Sequence, residues 1–125
     1  MADNPVPPEV RLFIFDCIES VAHLEALLLL KDSPELHWDV FSLARRLYIG
    51  QAEATAILEH LTACELAERS GAGFRYHTRD AERRRLIEAL AESHAKYLVP
   101  LTRLIHDKAS GIRKFADAFK FRKDS

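Results

Sequence analysis

The chain is 125 residues long, the size of one domain, and folding at that size removes about two-thirds of the unfolded surface from water. Its composition, 48% apolar and 30% charged, suits one globular core and excludes a low-complexity or disulfide-dense scaffold. The longest apolar run lies in EALLLL, Glu25–Leu30, far short of the ~20 residues a membrane span needs, and the net charge is −1.

That charge is unevenly spread. Residues 1–67 hold 4 basic groups against 11 acidic ones, and residues 68–125 hold 14 against 8, so an acidic first half is joined to a basic second half. The opening MADNPVPPE has neither a basic nor an apolar segment, so no secretion signal is expected and a cytoplasmic location is. Cys17 and Cys64 lack CxxC spacing and sit among apolar neighbours, as reduced core thiols do.

In chain order, residues 1–8, with Pro5, Pro7 and Pro8, read as a flexible leader. Val10, Phe13, Ile14, Cys17 and Ile18 form a helical stripe over 9–18. Ser20 is placed to cap a second helix with Val21, Leu24, Leu27 and Leu28 inward, and Pro34 closes it. A third helix begins at Trp38 or Asp39, with Val40, Leu43, Ala44 and Leu47 inward; Trp38 is expected to plug the core. Tyr48-Ile49-Gly50-Gln51 reads as a turn built around its glycine, before a fourth helix with Ala54, Ile57, Leu58, Leu61 and Cys64 on one face.

Phe74 and Tyr76 alternate with Arg75 and His77, and the tip Ser70-Gly71-Ala72-Gly73 supplies two glycines, which together predict a hairpin. Asp80 caps a long helix over about 81–106, striped by Leu86, Ile87, Leu90, His94, Tyr97, Leu98, Leu101, Leu104 and Ile105. Pro100 is expected to kink or split it near Lys96–Val99. Ser110 is placed to cap a last helix, expected with Ile112, Phe115, Ala116 and Phe119 inward, before the basic stretch Lys120–Lys123. The division is thus a leader over 1–8, a core domain over 9–80 and C-terminal helices over 81–125 that serve dimerisation and carry a basic tail.

Over 42–77, SLARRLYIGQAEATAILEHLTACELAERSGAGFRYH carries Leu43-Ala44, Leu47, the Leu58–Leu61 pair, and Leu66 followed by Arg69 at the start of the hairpin. These features resemble the DNA-binding core of MarR-like and PadR-like bacterial transcriptional regulators. The tail FADAFKFRKD, from Phe115, resembles that of a group of short bacterial proteins with such a domain. The resemblance covers about residues 20–80 and implies a mainly α winged helix-turn-helix with a two-stranded wing and a long kinked C-terminal helix. It implies double-stranded DNA as partner, with the fourth helix in the major groove and Gln51, Ala52, Thr55, Ala56, Glu59 and His60 outward. Arg45 and Arg46 would meet the phosphate backbone, and Arg69, Arg75, His77 and Arg79 would act from the wing.

The residues themselves qualify that picture. Glu68–Arg85 holds six Arg and three acids, a plausible phosphate footprint that includes Arg83, Arg84 and Arg85, although this run could equally pair with Glu82, Glu88 and Glu92. The fourth helix has no Lys or Arg and carries Glu53, Glu59 and Glu65, leaving Gln51 and Thr55 as the base readers. Two readings follow: a homodimeric DNA-binding regulator that depends on phosphate contacts from its wings, or a protein-binding adaptor whose acidic helix-turn-helix face takes a basic partner. His60 and Cys64, four apart, are half a metal site with no second pair, so a buried thiol beside a surface His is expected. His94 reads as a core or dimer-seam histidine. No catalytic constellation, metal site or cofactor motif is present in the sequence, so no enzyme is expected.

Overall fold

The computed structural model describes residues 4–108. In order they form α1 (Pro8–Cys17), α2 (Val21–Asp32), α3 (Val40–Leu47), α4 (Gln51–Ala63), β1 (Ala67–Ser70), β2 (Gly73–Tyr76), α5 (Ala81–Lys96) and α6, over 98–108. The fold is mainly α and winged-helix-like, with one antiparallel hairpin. The helix expected from Ser110, with Ile112, Phe115, Ala116 and Phe119, and the basic stretch after it lie outside the described residues.

The starts of α1, α2, α3 and α5 are set by local chemistry at their first N–H positions, whereas Gly50 begins α4 without a side-chain cap. Pro8 opens α1, where its missing donor costs nothing. Ser20 Oγ accepts the His23 N–H at 3.2 Å, Asp39 Oδ1 accepts the Ser42 N–H at 2.7 Å and Asp80 Oδ1 accepts the Arg83 N–H at 2.8 Å. Val6, within the expected leader, is buried against the core.

The two helices of the helix-turn-helix end alike. After α3, the Ile49 N–H reaches the Ala44 carbonyl at 3.0 Å and the Tyr48 N–H the Arg45 carbonyl at 3.4 Å. After α4, the Leu66 N–H reaches the Leu61 carbonyl at 2.8 Å and the Glu65 N–H the Thr62 carbonyl at 3.0 Å. Both are Schellman closures, which require one left-handed residue. That residue is Tyr48 (φ 57°) in the first and Glu65 (φ 61°) in the second. The turn therefore does not pivot on Gly50, whose φ of −73° is ordinary; Gly50 instead precedes α4 as its N-cap.

In the wing, Ala67 pairs with Tyr76, Glu68 with Arg75, Arg69 with Phe74 and Ser70 with Gly73. Trp38 adds a third short pairing: its N–H donates to the Phe74 carbonyl at 2.6 Å, and its carbonyl accepts from the Phe74 N–H at 2.8 Å. Gly73 makes that approach possible, because a β-carbon there would lie 2.7 Å from the Trp38 carbonyl oxygen. Trp38 itself is partly buried against the core.

The long C-terminal helix is split as its proline requires. Tyr97 leaves helical geometry at φ −130°, and Pro100 falls in the first turn of α6. The core draws Val10, Phe13 and Ile14 from α1, Leu24, Leu27 and Leu30 from α2, and Leu43 from α3. It adds Ile57, Leu58 and Leu61 from α4, Ile87 and Leu90 from α5, and Leu101 and Ile105 from α6. Leu98, expected inward, is exposed because the break at Tyr97 rotates the stripe. Among the described residues, no helix is long and apolar enough to cross a membrane.

Candidate functional site

On α4, Gln51, Ala52, Glu53, Ala56 and Glu59 face solvent. Thr55 is half-exposed, and its hydroxyl donates back to the Gln51 carbonyl at 2.9 Å. His60 is not a surface residue of this face. Its Nε2 donates to the Cys17 carbonyl at 2.8 Å, its Nδ1 lies 3.4 Å from a Glu19 carboxylate oxygen, and its ring meets that of His23 edge-on at 4.9 Å. Burial, and then the neighbouring His60, holds His23 below the usual histidine value.

Both cysteines are unbridged. Cys64 Sγ sits 3.8 Å from His60 Nε2, and burial, followed by hydrogen bonding to Cys17, pushes the Cys64 thiol up to about 12. A thiol held so far from ionisation is a poor nucleophile and a poor ligand. Among the described residues, no group of three or more His, Cys, Asp or Glu is arranged to hold a metal ion.

The wing has two chemically different faces. One carries Arg69 opposite the buried Phe74, with its guanidinium 4.9 Å from the ring centre and 3.9 Å from Glu59 of α4. The other carries Glu68 opposite Arg75, two residues from His77. Arg75 Nε donates to Glu68 Oε2 at 2.6 Å, and His77 Nδ1 lies 3.4 Å from Glu68 Oε1. The Arg75 hydrogen bond keeps the Glu68 carboxyl below its ordinary range. Arg79 lies 3.4 Å from Asp80 and 4.0 Å from Glu65. Every arginine from 69 to 79 thus has a carboxylate of its own.

The run Arg83-Arg84-Arg85 is not brought together on one face. Arg83 turns inward, with Nη1 3.6 Å from Cys17 Sγ and its guanidinium 5.3 Å from the Phe13 ring centre. Arg84 lines a groove of about 540 Å³ with Lys31, Arg75, His77, Glu68 and Glu88. Arg85 is exposed. Consecutive helical residues lie about 100° apart, so a triplet cannot act as one patch.

Arg45 and Arg46 are different. Both are exposed at the end of α3, and among the described residues neither has a carboxylate oxygen within 4.0 Å. Beside them stand two aromatics that the sequence reading did not single out as surface features: Tyr48, 95% exposed, and Phe41, 60% exposed. The signal for Phe41 was available, since it falls off the Val40–Leu43–Ala44–Leu47 stripe. A separate apolar surface is formed by Leu12 and Phe15 of α1, which with Pro8, Arg11 and Leu104 line a groove of about 500 Å³.

The sequence matches no protein-family model, and no curated protein and no solved structure shows significant similarity to it.

Proposed function

We propose that the chain is a winged-helix-like docking module whose helix-turn-helix engages a protein partner rather than reading a duplex. The observation that carries this is electrostatic. The outward face of α4 presents Glu53 and Glu59 without a single Lys or Arg, and the wing arginines beside it are already engaged by Glu59, Glu68, Glu65 and Asp80. A carboxylate facing a phosphate backbone repels it and releases no counterion. Exposed ion pairs are individually weak, so it is their coincidence with an acidic α4 that counts.

One observation favours the DNA reading: Arg45 and Arg46 have no carboxylate partner among the described residues and stand where backbone contacts of such a fold fall. In that reading Gln51 and Thr55 read bases, Arg69, Arg75, His77 and Arg79 act from the wing, and Arg83, Arg84 and Arg85 add phosphate contacts. A polarisation titration with random duplex DNA at about 50 mM and about 200 mM salt separates the two. The docking reading expects only weak binding by the natural sequence, whereas the DNA reading expects Glu53→Gln combined with Glu59→Gln to tighten it. Sub-micromolar binding at the higher salt, with a salt slope flattened by Arg75→Ala plus Arg79→Ala, would establish the DNA reading instead.

In either reading we place a homodimer seam on α1 and α6, where Leu12, Phe15, Leu98 and Val99 are exposed.

A further inference from the structure

We infer that the α3–α4 turn is a binding site for an acidic amphipathic segment of a partner protein, held between Phe41 and Tyr48 and clamped by Arg45 and Arg46. This rests on the docking reading and locates it at the turn, where Arg45 and Arg46 call for an acidic ligand, the opposite of the basic one that Glu53 and Glu59 on the α4 face would take.

Tyr48 occupies the left-handed position of the Schellman closure, where glycine folds more readily, yet its side chain is 95% exposed and buries nothing. The fold therefore gains little from a tyrosine there; Glu65 holds the same position after α4, so it is the exposed ring at Tyr48, and not the backbone alone, that is left free for a partner. Around it lie two recesses. Phe41, Ala44, Tyr48, Ile49 and Gly50 line a groove of about 500 Å³ with Arg45 and Gln51 at its edge. Trp38, Ser42, Arg46 and, again, Arg45 and Tyr48 line a second of about 400 Å³. The two share Arg45 and Tyr48, so one bound segment can seat an apolar side chain in each.

Charge decides what the segment carries. The described structure gives Arg45 and Arg46 no carboxylate within 4.0 Å, whereas Arg69, Arg75 and Arg79 are all matched. A carboxylate on the partner completes what the described residues leave open, and a guanidinium fork pairs with it in two-point geometry. Phosphate could satisfy the same charges. It has no use for the walls of the larger groove, which Phe41, Ala44, Ile49 and the Tyr48 ring make mostly apolar. Rigid aromatics bordered by arginines are also the composition of protein-binding hot spots.

The test is selection of a displayed library of random peptides, about twelve residues long, on the full chain. Amide-shift mapping with a synthetic peptide of the selected consensus follows. The expected consensus places Asp or Glu around Leu, Phe or Trp, and the shifts concentrate over residues 38–51. Tyr48→Gly, which should fold better than the natural sequence, loses at least about tenfold in affinity for that peptide, and Arg45→Glu combined with Arg46→Glu loses as much. Enrichment of Lys- or Arg-rich peptides, no enrichment at all, shifts on another face, or unchanged affinity of the Tyr48→Gly protein would overturn the inference. Any of these, with duplex DNA still ignored, overturns this site while leaving the docking reading standing. Duplex DNA that displaces the peptide from Tyr48 overturns both.

Discussion

Replacing Tyr48 with glycine should stabilise this protein. A non-glycine residue in the left-handed region is disfavoured by roughly 1–2 kcal/mol, and glycine's extra freedom in the unfolded chain returns part of that. The side chain is 95% exposed, so its removal sacrifices almost no burial, and the closing Ile49-to-Ala44 and Tyr48-to-Arg45 hydrogen bonds involve backbone alone. The net expectation for Tyr48→Gly is a gain of about 1 kcal/mol, a rise of roughly 3–6 °C in Tm at this chain length. Urea unfolding followed by circular dichroism reads it as a higher midpoint with an unchanged slope. Tyr48→Ala is the control: it removes the ring but keeps the β-carbon, and should stay within about 0.5 kcal/mol of the natural protein. If Tyr48→Gly fails to stabilise, or Tyr48→Ala destabilises by more than about 1 kcal/mol, the ring packs on something and the strain argument is wrong.

Gly73→Ala should cost about 1–3 kcal/mol in urea unfolding, because the added methyl meets the Trp38 carbonyl at 2.7 Å and backbone must move; a neutral result would deny the third pairing of the wing. His23 predicts a pH dependence. Its folded value lies below the ordinary 6.5, so the unfolded chain binds the proton first. Stability from the neutral ring is complete above that value and is lost as pH falls toward the lower folded one. Urea midpoints between about pH 7 and about pH 5 should therefore fall more for the natural protein than for His23→Gln, and equal slopes would refute the assignment. For the proposed seam, Phe15→Glu should shift sedimentation toward a monomer of 14.3 kDa without loss of helix content, whereas a natural protein that is already monomeric at high micromolar concentration removes the seam.

Much of the fold was legible because its signals are local. Ser20 and Asp80 each cap the helix their sequence position announced, Asp39 rather than Trp38 caps α3, Phe74 and Tyr76 alternate as paired strands, and Pro100 splits the C-terminal helix where its missing donor demands. The turn was misplaced for a physical reason. A glycine draws the eye to Gly50, but the closure is set by which carbonyl the Ile49 N–H can reach, and that puts the left-handed residue at Tyr48.

The candidate interface was less legible. Counting arginines over Glu68–Arg85 gives a basic segment, yet strand register sets Glu68 opposite Arg75, and the Arg69 side chain returns to Glu59 on α4. These pairings depend on strand register and on how the hairpin lies against α4, which a count of arginines does not give. The dispersal of Arg83, Arg84 and Arg85 depended on neither, since helical rotation alone separates neighbours. His60 turned inward because α1 and α2 bring the Cys17 carbonyl, Glu19 and His23 to it, none of which lies near it in sequence.

The central claim is that the outward face of α4 does not enter a duplex. Amide-shift mapping of the full chain with a random duplex at about 50 mM salt, where electrostatic attraction is strongest, addresses it residue by residue. The account predicts no saturable shifts at Gln51, Ala52, Thr55, Ala56 and Glu59, and none at Arg45, Arg46 and Tyr48. Saturable shifts along those α4 positions, joined by the wing residues Arg69 and Arg75, would contradict it.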